Sequence, residues 1–248
     1  MFPIRDHNPS ERVPVVTYLL IAANIVVFLT YLPHLGDERT LFGLYWQWGL
    51  VPAMVTHGEG YLGFFTSMFV HAGFMHIAGN MLFLWIFGDN LEDRLGHVGF
   101  AVFYLASGLG AALLQVAPAP DAQVPMVGAS GAIAGVMGGY LLLFPRARVD
   151  VLVIFIIFFR IFPLPAWVML GLWFGLQVFN GVANGAGDSG VAYWAHAGGF
   201  LVGMAAVLPS WLAAGGLGFW RRTQGHPDHP EARYRMVKSP VPRVTRRR

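Results

Sequence analysis

The residues best suited to covalent chemistry are a serine set among small residues and a distant histidine. Ser130 follows Gly128 and Ala129 and precedes Gly131, where a long apolar segment begins. The missing side chains let a second backbone or a bound molecule approach closely, and the free amides of a helix N-terminus favour negative charge. Ser130 could instead simply cap this helix. A serine hydroxyl becomes a nucleophile when a base such as His196 lies beside it, so the pair indicates acyl-transfer chemistry.

The spacing of glycines gives a reason for the two residues to meet. Gly131 and Gly135 lie four residues apart just after the serine, and Gly199 and Gly203 repeat that spacing just after His196. Each pair falls on one face of a helix. Faces of small residues let apolar helices pack unusually closely, so we expect the two helices to bring the histidine against the serine.

Two further polar side chains belong to an earlier apolar segment. His76 and Asn80 stand one helical turn apart, and both can donate hydrogen bonds. Together with the backbone amide of Ser130 they could stabilise a developing oxyanion. His71 lies five residues before His76, about 140° round a continuous helix, so we expect it to face elsewhere and to have a structural role.

The composition identifies the solvent in which these residues must work. Hydrophobic residues make up 56% of the 248 residues, and charged residues only 12% against about 25% in soluble domains. So few charges cannot cover a soluble globule, so we expect a membrane protein. Cysteine is absent, and no His-Glu-x-x-His motif occurs. We expect no metal and no cofactor, and no nucleic-acid partner because the basic residues form no single binding face.

The elements that position these side chains are expected to be six membrane-spanning helices. The apolar runs lie at residues 15–32, 65–87, 98–116, 129–144, 166–182 and 191–212. Residues 151–159 are intensely apolar but too short to span, and we place them as a re-entrant or interfacial segment. The predicted fold is therefore an all-α bundle.

The distribution of basic residues predicts the orientation of this bundle. An even number of spans puts both termini on one side, and that side then holds 15 of the 16 Lys and Arg residues, Arg39 being the exception. The positive-inside rule places that side in the cytoplasm. We divide the chain into a cytoplasmic N-terminus (1–14), a membrane domain (15–212) and a basic, disordered cytoplasmic tail (213–248).

The N-terminal residues of the chain help to predict its cellular compartment. The leader contains Asp6 and Glu11, which argues against a mitochondrial transit peptide, and the first apolar run lacks the cleavage site of a signal peptide. We expect an integral multi-pass protein of a prokaryotic plasma membrane, surrounded by lipids.

Three motifs in this order resemble those of the rhomboid family of intramembrane serine proteases. In chain order, the matching pieces are His71-x-x-x-x-His76-x-x-x-Asn80, Gly128-x-Ser130-Gly131 and Ala195-His196-x-x-Gly199-x-x-x-Gly203. The resemblance runs over nearly the whole membrane domain. It implies a six-helix rhomboid-like bundle that cuts single-span membrane proteins within or near their transmembrane segments.

The resemblance also implies a role for each residue. Ser130 would be the nucleophile and His196 the general base of a dyad without a third acid, while His76, Asn80 and the Ser130 amide would form the oxyanion hole. One departure concerns Ala134, where some members carry an aromatic residue that stacks on the histidine. His196 must then be oriented by other groups.

Two other classes of protein remain open at this stage. A non-catalytic rhomboid-like protein would bind membrane helices without cutting them, although it would more often lack Ser130 or His196. A small transporter is disfavoured because the predicted spans contain no carboxylates.

Overall fold

The computed structural model describes residues 2–155, 158–184 and 191–228. The helices are α1 (Val15–Tyr31), α2 (Glu38–Trp48), α3 (Pro52–Thr56), α4 (Gly63–Thr66), α5 (Phe74–Val116), α6 (Ser130–Leu143), α7 (Ala166–Asn184), α8 (Tyr193–Ala206), α9 (Leu208–Ala213) and α10 (Leu217–Thr223). The strands are β1 (Phe2–Asp6), β2 (Arg148–Phe155) and β3 (Phe158–Pro165). Two turns of 3₁₀ helix cover Leu32–His34 and Ser67–Phe69.

Long apolar helices dominate the described part of the chain. Four are long and apolar enough to cross a membrane, namely Val15–His34, Phe74–Val116, Ala166–Asn184 and Tyr193–Ala213. A fifth apolar helix, Ser130–Leu143, is shorter. The fold is therefore mostly helical, as the apolar runs predict.

Helix α5 consists of two arms that meet at Gly96. This residue has φ 72° and ψ 164°, outside the helical region, and residues other than glycine rarely adopt such a φ. The first arm begins at Phe74, so the predicted start of the second span near residue 65 is wrong. The residues before it form α4 and the turn at Ser67–Phe69, because a glycine and short polar residues interrupt the apolar run there.

Helix α6 occupies the centre of the bundle, between α5 and α8. Its glycines explain the close packing: a Cβ added at Gly199 would overlap the carbonyl of Gly131, and one added at Gly203 would overlap the carbonyl of Gly135. Side chains at these positions would force the helices apart. The close approach predicted from the two glycine-containing faces is therefore present.

Glu92 fastens α1 to the first arm of α5. Its carboxylate is 1% exposed and accepts hydrogen bonds from the amides of Val16 and Thr17, each 2.8 Å long. The first amides of a helix have no partner within the helix and carry partial positive charge. The buried carboxylate therefore satisfies the beginning of α1 from a neighbouring element.

The prediction of an all-α fold is wrong in one respect, because the described residues include a three-stranded antiparallel sheet. The strand order is β1-β2-β3, and β2 pairs with β3 from Arg148 opposite Pro165 to Phe155 opposite Phe158. Residues 151–155 and 158–159 therefore belong to strands β2 and β3 rather than to a re-entrant or interfacial segment, and residues 156–157 of that prediction lie outside the described residues. The run is rich in valine, isoleucine and phenylalanine, which favour strands.

The sheet connects the N-terminal segment of the chain to helix α7. Asp150 on β2 accepts hydrogen bonds from Arg5 Nε at 2.6 Å and from His7 Nε2 at 2.9 Å. Strand β3 ends at Pro165, and α7 begins at the next residue. The N-terminal strand is therefore linked through the hairpin to α7.

The folded region also extends beyond the predicted boundary at residue 212. Helix α10 packs back on the bundle: Phe219 is 2% exposed, and Trp220 Nε1 donates to the carbonyl of Leu142 at 3.0 Å. The interpretation of 213–248 as a disordered tail is thus wrong for α10, because its two aromatic residues have apolar surface to cover. Residues 229–248 of that tail lie outside the described residues.

Candidate active site

Ser130 and His196 meet where α6 begins. Ser130 is the first residue of α6, and His196 lies in the first turn of α8. The distance between His196 Nε2 and Ser130 Oγ is 2.8 Å. The hydroxyl does not cap its own helix, whose preceding residue is Ala129 and which has no side-chain cap. The pair predicted from the sequence is therefore brought together with hydrogen-bond geometry.

The second nitrogen of His196 has a partner that the sequence interpretation missed. His196 Nδ1 lies 2.9 Å from Gln177 Oε1, and the Trp173 ring lies 5.8 Å from the imidazole at 37°. Both partners belong to α7. The signal for Gln177 in the sequence is one of three side-chain amides in a mostly apolar helix, where polar side chains usually bond across helices. These two residues orient the ring where Ala134 cannot.

His76 lies over the backbone that leads into the serine. Its Nδ1 accepts from the amide of Ala72 at 3.2 Å, so the proton of the neutral ring is on Nε2. A Cβ added at Gly128 would lie 2.7 Å from that Nε2, and Gly128 has a φ of +122°. Both the conformation and the space therefore require glycine at this position. The Nε2–H donor of His76 therefore lies beside Gly128, which is two residues before Ser130 in the chain.

Asn80 lies one turn further along the same arm of α5 and is 7% exposed. Its Nδ2 donates to the carbonyl of His76 at 2.9 Å. That bond uses one of the two amide protons, so the other stays available. A common cavity of about 230 Å³ between α5, α6, α7 and α8 is lined by His76, Asn80, Ser130 and His196.

The prediction that His71 faces away from the other residues is wrong. His71 precedes α5 rather than lying on it, so the angle expected for a continuous helix does not apply. It is fully buried, its ring lies 5.1 Å from that of His76, and its Nε2 accepts from the amide of Ala129 at 3.4 Å. His71 therefore supports the segment that holds the serine.

Among the described residues, no group of three or more His, Cys, Asp or Glu side chains is arranged to hold a metal ion.

A match to a known sequence profile identifies the family of this chain. The sequence profile of the Rhomboid domain matches residues 58–212, more than half of the chain. The chain belongs to the rhomboid family. The matched rhomboid region includes all the side chains that line the cavity from α5, α6, α7 and α8, whereas β1 and α1 lie outside it.

Several rhomboid relatives are similar over long stretches. "Rhomboid protein 1, mitochondrial" of Saccharomyces cerevisiae is 30% identical over 215 residues, covering 81% of this chain and 57% of the relative. "Rhomboid protease GlpG" of Salmonella paratyphi A is 26% identical over 208 residues, covering 82% and 66%. "Rhomboid protease GluP" of Bacillus subtilis is 32% identical over 132 residues, covering 52% and 24%.

These rhomboid relatives are longer than the present chain. The chain spans about half the length of the yeast protein and a quarter of the Bacillus protein. The family includes proteases, GlpG and GluP among them. With its long apolar helices and its rhomboid relatives, this chain is an integral membrane protein.

Proposed function

We propose that the chain is an intramembrane serine endopeptidase that cleaves the transmembrane segments of single-span membrane proteins. The observation that carries the proposal is the 2.8 Å separation of His196 Nε2 and Ser130 Oγ, at a cavity that His76 and Asn80 also line. A nucleophile, its base and several N–H donors are the groups that amide hydrolysis requires. Protease relatives in the same family support this reaction class.

The reaction proceeds in two halves. His196 Nε2 takes the proton of Ser130 Oγ as this oxygen attacks the scissile carbonyl carbon, and the carbonyl oxygen becomes an oxyanion. His76 Nε2–H, the Asn80 amide and the Ser130 backbone amide donate to that oxyanion. His196 then gives its proton to the leaving amine, which leaves an ester on Ser130. A water molecule, deprotonated by His196, attacks the ester and restores the free hydroxyl.

The length of α6 supports a reaction below the membrane surface. The helix has 14 residues, about 21 Å at 1.5 Å per residue, whereas the hydrocarbon core is about 30 Å thick. The arms of α5 and the segment Tyr193–Ala213 beside it are longer, so we expect its half-buried first residue to lie below the level at which these neighbours end. Such a position suits a substrate that arrives as a membrane helix. Lipids surround the rest of the membrane domain.

The topology that accompanies this function has six spans. Division at Gly96 gives α5 two arms, each about 30 Å long at 1.5 Å per residue. With α1, α6, α7 and α8 they make six, which puts both termini on one side, the cytoplasmic one by the positive-inside rule. The prokaryotic plasma membrane stays a prediction: some relatives are bacterial, whereas the yeast relative is mitochondrial and others are plant proteins.

The test of the proposal is loss of proteolysis on removal of either member of the dyad. We expect Ser130→Ala and His196→Ala each to abolish cleavage of a fluorescent transmembrane substrate by purified protein in liposomes. The reason is that nucleophile and base act as one unit, so losing either removes nearly the whole covalent route. Cleavage is measured as product formed per enzyme per minute.

Matched controls separate chemistry from folding. Ser210→Ala on α9 and His57→Ala just after α3 remove the same side chains away from the cavity, and both are expected to cleave at the wild-type rate. Thermal midpoints of the dyad variants should stay near that of the wild type. Equal cleavage by wild-type protein and a pure Ser130→Ala preparation would disprove the proposal. Wild-type protein that binds the substrate helix without cutting it would favour the non-catalytic alternative.

A further inference from the structure

The ring of His196 is held from two sides by two different helices. Its Nε2 faces Ser130 Oγ on α6 at 2.8 Å, and its Nδ1 faces Gln177 Oε1 on α7 at 2.9 Å. Both nitrogens are thus engaged, and the ring cannot rotate without breaking one of the two contacts. Gln177 does not line the cavity itself, so its role toward the reaction must pass through the histidine.

The orientation of the Gln177 amide follows from its second contact. Gln177 Nε2 donates to the carbonyl oxygen of Trp173, one turn earlier on α7, over 3.4 Å. A carbonyl oxygen can only accept, so the amide nitrogen must face it and the amide oxygen must face His196. The helix backbone therefore assigns which end of the side chain meets the imidazole.

An amide oxygen facing Nδ1 decides the tautomer of the neutral ring. Because Oε1 can only accept, Nδ1 must carry the proton and donate it. Nε2 is then left with a free electron pair, and it can accept the Ser130 hydroxyl proton. With the opposite tautomer, Nε2–H would face the hydroxyl and could not act as a base.

We propose that Gln177 is a positioning residue that completes a Ser130–His196–Gln177 relay, an inference that rests on the proposed function. The amide does for His196 what a carboxylate does in a serine–histidine–aspartate triad, except that it supplies orientation without a fixed charge. A neutral third member is suited to an apolar helix, where a buried carboxylate would be costly. The dyad expected from the sequence is thus extended by a residue from a third helix.

Two variants of nearly the same size test this relay. Gln177→Met keeps the length of the side chain but removes the acceptor, and Gln177→Glu keeps an acceptor oxygen at the same reach. We expect Gln177→Met to lower kcat by about 10- to 100-fold with KM unchanged, which is a part of the roughly 10²- to 10⁴-fold that a positioned base contributes. Gln177→Glu should restore most of that loss. The rates are measured with the fluorescent transmembrane substrate in liposomes.

The control is Leu176→Ala, one residue earlier on α7 with a side chain directed outward and 48% exposed. It should leave kcat, KM and the thermal midpoint near wild-type values. Wild-type kcat in Gln177→Met would overturn the inference. So would equal kcat losses in Gln177→Met and Gln177→Glu, since an acceptor oxygen facing His196 would then make no difference to the reaction. Either result leaves the proposed function standing, which fails instead when Ser130→Ala cleaves like wild type.

Discussion

At the scale of single residues, His76 and Asn80 differ in what their loss removes. The His76 ring has one nitrogen occupied by the Ala72 amide and directs the other toward the serine segment, whereas Asn80 spends one of its amide protons on the carbonyl of His76. A missing oxyanion donor typically costs about 10²- to 10³-fold in rate. Since the Ser130 amide and His76 remain, we expect Asn80→Ala to be impaired yet measurably active.

His76→Ala is expected to lose more activity than Asn80→Ala, because its removal also empties space against Gly128. His76→Gln keeps a donor at similar reach and should recover part of the rate. Cleavage rates and thermal midpoints of the three variants decide the matter. A His76→Ala protein with the rate and thermal midpoint of the wild type would remove His76 from the oxyanion hole.

The residues of the candidate site differ in how far the sequence alone could predict them. Ser130 and His196 were predictable because glycine spacing gave each of them a close-packed helix face. Gln177 was not, since α7 carries three side-chain amides and only the position of α7 against α8 shows which of them meets His196. His71 was misplaced because its angle was computed for a helix that in fact begins three residues later, at Phe74.

At the scale of elements, the distance between α6 and α8 depends on residues without side chains. A Cβ at Gly199 would overlap the carbonyl of Gly131, the residue after the serine. We therefore expect Gly199→Ala to destabilise the protein by about 1–3 kcal/mol, the usual cost of overpacking. It should also slow cleavage, because any separation of these helices lengthens the contact between Ser130 and His196.

Gly171 on α7 is the matched control for that substitution. A Cβ added there meets nothing within 4 Å. Gly171→Ala should therefore keep the wild-type cleavage rate, and its thermal midpoint should equal or exceed that of the wild type since alanine favours helix. Thermal midpoints in detergent and cleavage rates are the measurements. Equal effects of the two substitutions would mean that close α6–α8 packing does not hold the dyad together.

Elements were predictable where hydrophobicity alone decides them. Long apolar runs locate α1, α7 and α8 closely, because each must satisfy its backbone in lipid. Residues 151–155 and 158–159 are equally apolar, and only the pairing of β2 with β1 and with β3 makes them strands. Such pairing joins residues far apart in the chain, and no local pattern reports it.

At the scale of the whole molecule, Asp150 ties the N-terminal strand to the hairpin that leads into α7. Burial raises the pKa of Asp150, but hydrogen bonds from His7 and Arg5 lower it more, so the pKa lies below its ordinary range. A lowered pKa means that the carboxylate stabilises the fold fully above about pH 4 and loses this contribution as the pH falls through the lowered value.

We expect Asp150→Asn to lower the thermal midpoint at pH 7 by roughly 3–6 °C, about 1–2 kcal/mol for lost hydrogen bonds to a charged group. The variant should also show a smaller decline in midpoint than the wild type between about pH 5 and pH 3. Asp121→Asn, at an exposed position outside the sheet, is the control. Identical pH dependence in wild type and Asp150→Asn would show that this contact does not stabilise the molecule.

The short contact between Ser130 and His196 also determines how the site responds to membrane voltage. Gln177 and Asn80 are uncharged, so the first step displaces only two charges: a proton crosses from Oγ to Nε2, and the matching negative charge ends on the carbonyl oxygen of the substrate. The proton's path is at most 2.8 Å, about a tenth of a 30 Å hydrocarbon core. Since one charge crossing 100 mV is worth about 2.3 kcal/mol, the same voltage changes the energy of the proton transfer by about 0.2 kcal/mol at most. The proton transfer therefore runs at nearly the same rate in an energised membrane as in a detergent micelle.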